Sequence, residues 1–342
     1  MDFERFDAPQ ATDDQWREVH AHEVQSMEYD WPELASPTLD AMVNRLREST
    51  TTDCTNTLWL AREHGKIVAS ASYTVHHDDA DHTVRIAFIT VHVHPERRRL
   101  GIGTAFLRLL LAEARRHGKD RISVSGVRRG TSAEAWTVRL GFEPSSRTLL
   151  QRLVMADADL ALWDLPTPAG YRVVSWGVAV PEEFLSRYCR YLATCWGSPH
   201  DWFAPQAVRE REAQGLAEGC DRLVVAVVHE ADGEIVATKA AEIKHGADIV
   251  ARPGPTSLVL GHRDQGLERM LEAEVLRRLA AERPDVAEVV EKDQAFYLPE
   301  ELAAYRCMTQ VIADLGYRTE EYLRVEAGVE QLSTALGSSR PD

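Results

Sequence analysis

Val91-His92-Val93-His94-Pro95-Glu96-Arg97-Arg98-Arg99-Leu100-Gly101-Ile102-Gly103-Thr104 is the stretch that decides how this chain is read. Residues 83–93 are rich in β-branched side chains and predict a strand, which Pro95 ends. A basic turn with glycines follows. From there Phe106, Leu107, Leu110, Leu111 and Ala114 fall on one stripe, predicting a helix to about His117. A strand thus runs into an arginine- and glycine-containing turn and then into a helix N-terminus. The first helical turn has N–H groups without intrahelical acceptors and carries a partial positive charge. Glycine lets such a backbone approach a ligand closely. The arrangement suits a pyrophosphate, with Arg97, Arg98 and Arg99 adding charge.

Working outward, Thr57–Glu63 and Lys66–His76 predict two strands around a tight turn at His64-Gly65. After the helix, Arg121–Val127 predicts a short strand, and Thr131–Leu140 a helix stopped by Gly141-Phe142. The second half repeats this order. Arg222–Glu230 and Glu234–Ile243 flank Asp232-Gly233. Ser257–Leu260 precedes the turn His262-Arg263-Asp264-Gln265-Gly266-Leu267. A helix to about Glu282, a strand near Val286–Val290 and a helix ending at Leu315-Gly316-Tyr317 follow. Gly65 to Gly233 is 168 residues, Arg98 to Arg263 is 165, and Gly141 to Gly316 is 175. Three matches in one order point to duplication, with Glu291–Glu301 read as an insertion. Each half opens with a short strand (Phe3–Phe6, Tyr171–Ser175) and two helices. The first pair is Asp13–Gln25 and Thr38–Ser49; the second is Glu182–Leu192 and Gln206–Glu218. The result is mixed α/β. Leu165-Pro166-Thr167-Pro168-Ala169-Gly170 is the linker candidate.

Arg98-Arg99-Leu100-Gly101-Ile102-Gly103 resembles the Arg/Gln-x-x-Gly-x-Gly/Ala signature of the GNAT N-acetyltransferases, which opens their third helix after their fourth strand. The Leu140-Gly141-Phe142 ending fits as well, and the duplicated form resembles the tandem GNAT group that includes mycothiol synthase. The resemblance implies an α/β (α+β) fold of two tandem GNAT-like domains, each a mixed, mostly antiparallel sheet flanked by helices. Residues 1–164 would form the N-terminal GNAT domain, acyl-CoA-binding and catalytic. Residues 165–170 would be the linker and 171–342 a degenerate GNAT domain with a structural or acceptor-pocket role. The implied donor is acetyl-CoA. By the same resemblance, Val91 and Val93 offer main-chain groups to pantetheine, Arg99, Leu100, Gly101, Ile102, Gly103 and Thr104 cradle the pyrophosphate, and Arg98 opens the motif. In the second half Glu268 stands where a small residue is expected and would repel a pyrophosphate. Arg252-Pro253-Gly254-Pro255 interrupts the strand meant for pantetheine. Binding of a second CoA there stays open.

GNAT enzymes pass the acyl group directly to an amine in a ternary complex. This needs a neutral amine, a stabilised oxyanion and a proton for the thiolate. The family often uses a strand carboxylate as base and a tyrosine as acid. Here Ala87 and Ile89 occupy the strand positions, and Thr137 stands four residues before Gly141. A CoA thiolate can leave without help. His92 is the candidate base, on the right strand and with an ordinary pKa near 6.5. Glu28 and Asp30, in the expected loop between the first helices, are candidates to hold a cationic amine, with Tyr29 and Trp31 as pocket walls. Trp196–Phe203 is a second aromatic-rich loop. His76, His77, Asp78, Asp79, Asp81 and His82 fit a polar hairpin at least as well as a metal site, so no metal is expected.

Length and charge fit this picture. At about 100–200 residues per domain, 342 residues imply two. Thirty-nine basic against fifty-four acidic residues give a net charge of −15, which offers a phosphate backbone no long-range attraction and argues against nucleic acid. No apolar run approaches the roughly 20 residues of a membrane helix. Met1–Arg5 has no leader pattern, and five cysteines without a Cys-x-x-Cys pair read as reduced thiols, so a cytoplasmic place is expected. The expected partner is a small-molecule amine, with antibiotics and other secondary metabolites among the candidates, and the chain is a monomer or homodimer. The alternatives are a CoA-binding sensor or scaffold without turnover, and transfer from another acyl-CoA.

Overall fold

The computed structural model describes residues 1–31, 36–48, 54–77, 85–197, 200–245, 249–263, 265–296 and 310–338. In chain order its elements are β1 (Asp2–Arg5), α1 (Asp13–Asp30), α2 (Leu39–Glu48), β2 (Cys54–Glu63), β3 (Lys66–His76), β4 (Ile86–Val93), α3 (Ile102–Arg116), β5 (Arg121–Arg128), α4 (Ser132–Arg139) and β6 (Glu143–Val154). There follow β7 (Tyr171–Trp176), α5 (Glu182–Trp196), α6 (Pro205–Ala217), β8 (Asp221–His229), β9 (Ile235–Lys244), β10 (Ile249–Pro253), β11 (Ser257–Leu258), α7 (Leu267–Glu282), β12 (Val286–Phe296), β13 (Arg318–Gly328) and α8 (Val329–Ser338). The chain divides into two compact units, Met1–Arg147 with Tyr322–Asp342, and Thr148–Glu321.

In the first unit the strand order is β1-β2-β3-β4-β5-β13. All these pairings are antiparallel except β4 with β5. Strand side chains alternate between faces. Leu60 and Ile67 meet Trp16, Val19 and Met42 of α1 and α2 on one side. Ala61, Ala71, Tyr73, Ala87 and Ile89 meet Phe106, Leu107 and Leu110 of α3 on the other. Burying the larger of these, such as Leu60, Phe106 and Leu107, stabilises the unit by about 1.5–3 kcal/mol each before chain entropy is counted. Helix α1 starts on a capping box, Gln15 N–H donating to Thr12 Oγ1 and Thr12 N–H to Gln15 Oε1. It runs five residues past the expected end at Gln25, so Glu28 and Asp30 stand on its last turn rather than in a loop.

The second unit has the order β6-β12-β10-β9-β8-β7, with β11 beside β9. Phe184 and Tyr188 of α5 and Val208 of α6 pack on Val224 and Ala226. Leu271, Leu276 and Leu279 of α7 pack on the opposite face, with Val225, Ala237 and Ala241.

A cut at residues 165–170 does not reproduce these units. Leu153 and Trp163 lie in the core of the second unit, where Trp163 Nε1 donates to the Leu315 carbonyl at 3.0 Å. Conversely, Leu323, Val325, Val329, Leu332 and Leu336, from the far end of the chain, complete the first core. Arg108 of α3 donates to the Leu336 carbonyl at 3.2 Å, and Gln331 donates to the Gly141 carbonyl at 2.8 Å. Strands β6 and β13 were not expected, and β12 continues through Glu291–Phe296, where an insertion was expected. Asp78, Asp79, Asp81 and His82 of the polar hairpin, Thr83 and Val84 of the third strand, Ser49, Ser198, Pro199, Asp264 and residues 297–301 lie outside the described residues.

Candidate functional site

Strand β4 makes the site because it outruns one of its neighbours. It pairs with β3 along its length, through Val93 opposite Ala69, but with β5 only from Ile86–Arg121 to Ile89–Val124. Beyond Ile89 the strands part. β5 bends there because it holds one more residue than β13 between the Val127–Leu323 and Val124–Val325 pairs, and Gly126 takes φ +78°. The His94 N–H donates to the Val68 carbonyl at 2.9 Å. By alternation, the main-chain groups of His92 and Thr90 also face β3, while those of Val91 and Val93 face the open fork.

The fork leads to the N-terminus of α3. Gly101 is the N-cap in the left-handed region at φ +78°, with no side-chain cap. The first helical bond runs from Ala105 N–H to the Gly101 carbonyl at 2.9 Å, so the N–H groups of Ile102, Gly103 and Thr104 have no intrahelical acceptor. A Cβ on Gly103 would come no nearer than 3.9 Å to Trp136 and 4.0 Å to Val93, which leaves room on the open side. Arg99 sits at φ +65°, a conformation rare for a residue with a side chain, and is exposed beside the cap. Backbone, helix charge and Arg99 together form a cradle that fits a pyrophosphate.

The three arginines do not act alike. Arg97 is bound to Glu63, Nε to Oε2 at 2.7 Å. Arg98 makes a two-pronged pair with Asp30, both bonds 2.8 Å, while its Nε donates to the Val93 carbonyl at 3.0 Å. Its guanidinium also lies 4.7 Å from the centre of the Tyr29 ring. An aspartate at a helix C-terminus opposes the helix charge, and Arg98 offsets it. Arg128, at the end of β5, donates to the Asp30 carbonyl at 3.4 Å. The last turn of α1 is therefore tied to both arms of the fork. Of the motif arginines expected to meet a phosphate, Arg98 is placed as a clamp and Arg99 keeps an exposed side chain.

His92 points from β4 toward α1, where its ring meets Trp31 edge-on at 5.8 Å. Beside it lies His22 of α1, which sequence reasoning passed over. His22 is 5% exposed, and burial, then the nearby His92 and His94, push its pKa down to about 4, against a small opposing contact with the His92 main chain. Glu28 is exposed, two residues from the carboxylate that engages the motif. Thr137 is buried and its hydroxyl donates to the Glu134 carbonyl at 2.9 Å, which leaves it unable to serve as an acid toward the fork.

The second unit is built differently at the matching place. Gly266 again caps a helix at φ +73°, but Glu268 stands in the first turn of α7. β10 ends at Pro253, and its pairing with β12 stops at Ala251–Val289. Just past this point Lys239 Nζ, wholly buried, donates to Glu272 and, at 2.8 Å, to Glu291. Thr256 donates to Glu272 at 2.9 Å, and Tyr317 lies close enough for both carboxylates to help raise its pKa, after burial. By the repeat offsets of 168, 165 and 175, Lys239, Glu272 and Tyr317 correspond to Ala71, Leu107 and Phe142. An apolar core in the first unit is an ionic cluster in the second. Among the described residues no group of three or more histidine, cysteine or acidic side chains is placed to hold a metal ion.

The sequence profile of the acetyltransferase (GNAT) family matches residues 16–142, which contain the fork, the turn and α3. A tandem GNAT protein from the clavulanic acid biosynthesis pathway has a similar fold. It is 21% identical, with 96% of this chain and 98% of that one covered, at a TM-score of 0.63. A GCN5-related N-acetyltransferase from Sphaerobacter thermophilus is 15% identical, with 96% and 95% covered, at 0.56. Among curated proteins no sequence relative matches. The match to the GNAT family thus covers residues 16–142, while the fold of the chain as a whole is that of tandem GNAT proteins.

Proposed function

We propose that the first unit binds acetyl-CoA along the β4–β5 fork and passes its acetyl group to the amine of a small molecule held beside α1. One observation carries this reading. The main-chain groups of Val91 and the N–H of Val93 face an open fork that ends on the uncapped N-terminus of α3, while the Val93 carbonyl is held by Arg98. Leu100 to Thr104 supply N–H groups and Arg99 a charge to the pyrophosphate. The Val93 N–H is the donor for the oxyanion. His92, on the same strand and facing α1, takes the proton of the attacking amine. No side chain is assigned to protonate the thiolate, because Thr137 is committed to Glu134. Arg98 holds α1 in place through Asp30, so the carboxylate left to face a cationic amine is Glu28. The second unit, with Glu268 in the first turn of α7 and β10 ended by Pro253, binds no acyl-CoA in this reading.

The test is release of CoA thiol from acetyl-, propionyl- and longer acyl-CoA across polyamines, amino sugars, amino acids and short peptides. Amine-dependent release with acetyl-CoA preferred is expected. Binding of acetyl-CoA without release by any amine would favour a sensor or scaffold, the reading that the buried Thr137 hydroxyl also suits.

A further inference from the structure

The buried face of α1 changes character along its length. Trp16 and Val19 are apolar and meet Met42 and Leu60. One turn further the same face carries His22 and then Ser26, 5% and 1% exposed. A leucine and an alanine would fill these places without a polar atom. Both ring nitrogens of His22 and the Ser26 hydroxyl are shielded from water without a well-formed hydrogen bond among the described residues. Buried polar atoms in this state disfavour the fold, so a function is a fair reason for keeping them. What they face is β4. α1 packs on that strand, whose even-numbered residues Thr90 and His92 point toward the helix. The polar strip continues on β3 with Ser70 and with Ser72, whose hydroxyl shares a 2.6 Å hydrogen bond with Thr90.

We infer that His22 is a positioning residue for His92. It wedges a neutral imidazole between α1 and β4, fixes the strand at the base, and leaves His92 as the ring of the pair that takes the proton. This rests on the reading of His92 as the base. The charged groups around His22 fit the role. On its own helix Glu18 is paired with Arg62, and Asp30 with Arg98. From β4 and the turn after it, His92 and His94 face it and oppose its protonation. Burial acts in the same direction. Protonation of His22 is therefore opposed, and its neutral ring sits beside His92, which is half-buried and in contact with Trp31. The contact of the His22 ring with the His92 main chain is what ties the two residues together.

The test compares His22→Leu, His22→Gln and the wild type, each bound to acetyl-CoA. His22→Leu removes two shielded nitrogens, so its Tm is expected to stay level or rise, and its acetyl-CoA affinity to stay within twofold. Its kcat for amine-dependent CoA release is expected to fall at least tenfold, with partial recovery in His22→Gln, which keeps a neutral donor. Ring-labelled histidine NMR on the acetyl-CoA complex supplies a readout that needs no acceptor. His22 should remain neutral down to pH 5, and the titration of His92 should move in His22→Leu. If His22→Leu keeps full kcat and an unchanged His92 titration, His22 is packing only. His22→Asn serves if the leucine variant fails to fold. Should no amine release thiol even from the wild type, the base assignment falls. The NMR arm then still decides whether the two rings are coupled.

Discussion

Replacing Lys239 by methionine should cripple the second unit. The side chain is wholly buried, and its ammonium neutralises Glu272 and Glu291, which are 1% and 2% exposed. Burial alone would lower the lysine pKa, but the two carboxylates outweigh it and raise the value above normal. A lysine with a raised native pKa lends stability that is complete below its unfolded value of 10.5 and is lost as pH climbs through the native one. At neutral pH the contribution is therefore in full force. Lys239→Met leaves two carboxylates in a dry core without the cation that neutralises them, a loss of about 3–5 kcal/mol. The second unit spans Thr148–Glu321, and at ~2–4 °C per kcal/mol for domains of such size its Tm should fall by about 6–20 °C. The triple variant Lys239→Met, Glu272→Leu, Glu291→Gln removes the charges together and replaces Lys239 and Glu272 by apolar side chains, as at the matching Ala71 and Leu107. It should unfold within about 2 kcal/mol of the wild type, because well-packed apolar replacements of buried ion clusters are often neutral. Differential scanning calorimetry and urea unfolding read both. A single variant melting within 2 °C of the wild type (about the effect of 1 kcal/mol) would refute the reasoning.

Three further outcomes are expected. Asp30→Ala frees Arg98 and unclamps the last turn of α1. Because the pair is about a quarter exposed, the stability loss should be only about 1–2 kcal/mol, while amine-dependent turnover drops and acetyl-CoA affinity, read by calorimetry, changes less than about threefold. Stability should fall as pH is lowered from 6.5 toward 4, because the unfolded chain takes a proton that native His22 refuses. That loss is on the order of 3 kcal/mol, and urea titrations of His22→Leu should lack this part of the pH dependence. Ending the chain at Glu321 removes the strand beside β5 and the helix against α3, so the truncated protein should lose acetyl-CoA binding even though the whole signature motif remains.

The sequence disclosed the elements with strong periodicity or punctuation: β3, α3, α7 and the glycine-stopped α4 all fall close to their expected bounds. It did not disclose β6 and β13. Glu143-Pro144-Ser145-Ser146 and Arg318-Thr319-Glu320-Glu321 open these strands with polar residues that read as loop. The exchange of chain ends between units followed from that miss, since the apolar alternation of Leu323, Val325 and Ala327 was left unassigned. At the site, the turn and its glycines were legible because a helix N-terminus after a strand has one geometry. The fate of each arginine was not, because partners such as Asp30 and Glu63 are distant in sequence. His22 and Ser26 could have been found from their spacing with Trp16 and Val19, a helical stripe that turns polar where it should stay apolar. The Lys239 cluster carried a similar signal, charged residues at positions where the duplicated half holds Ala71 and Leu107.

The central claim is that one acyl-CoA site exists per chain and that it lies at the first fork. Isothermal titration of the full chain with acetyl-CoA measures this directly. The account predicts a stoichiometry of one and no detectable binding in Gly101→Glu, where the new side chain must adopt φ +78° and sets a carboxylate against the pyrophosphate cradle. Two sites per chain, or one site that survives Gly101→Glu, would contradict it.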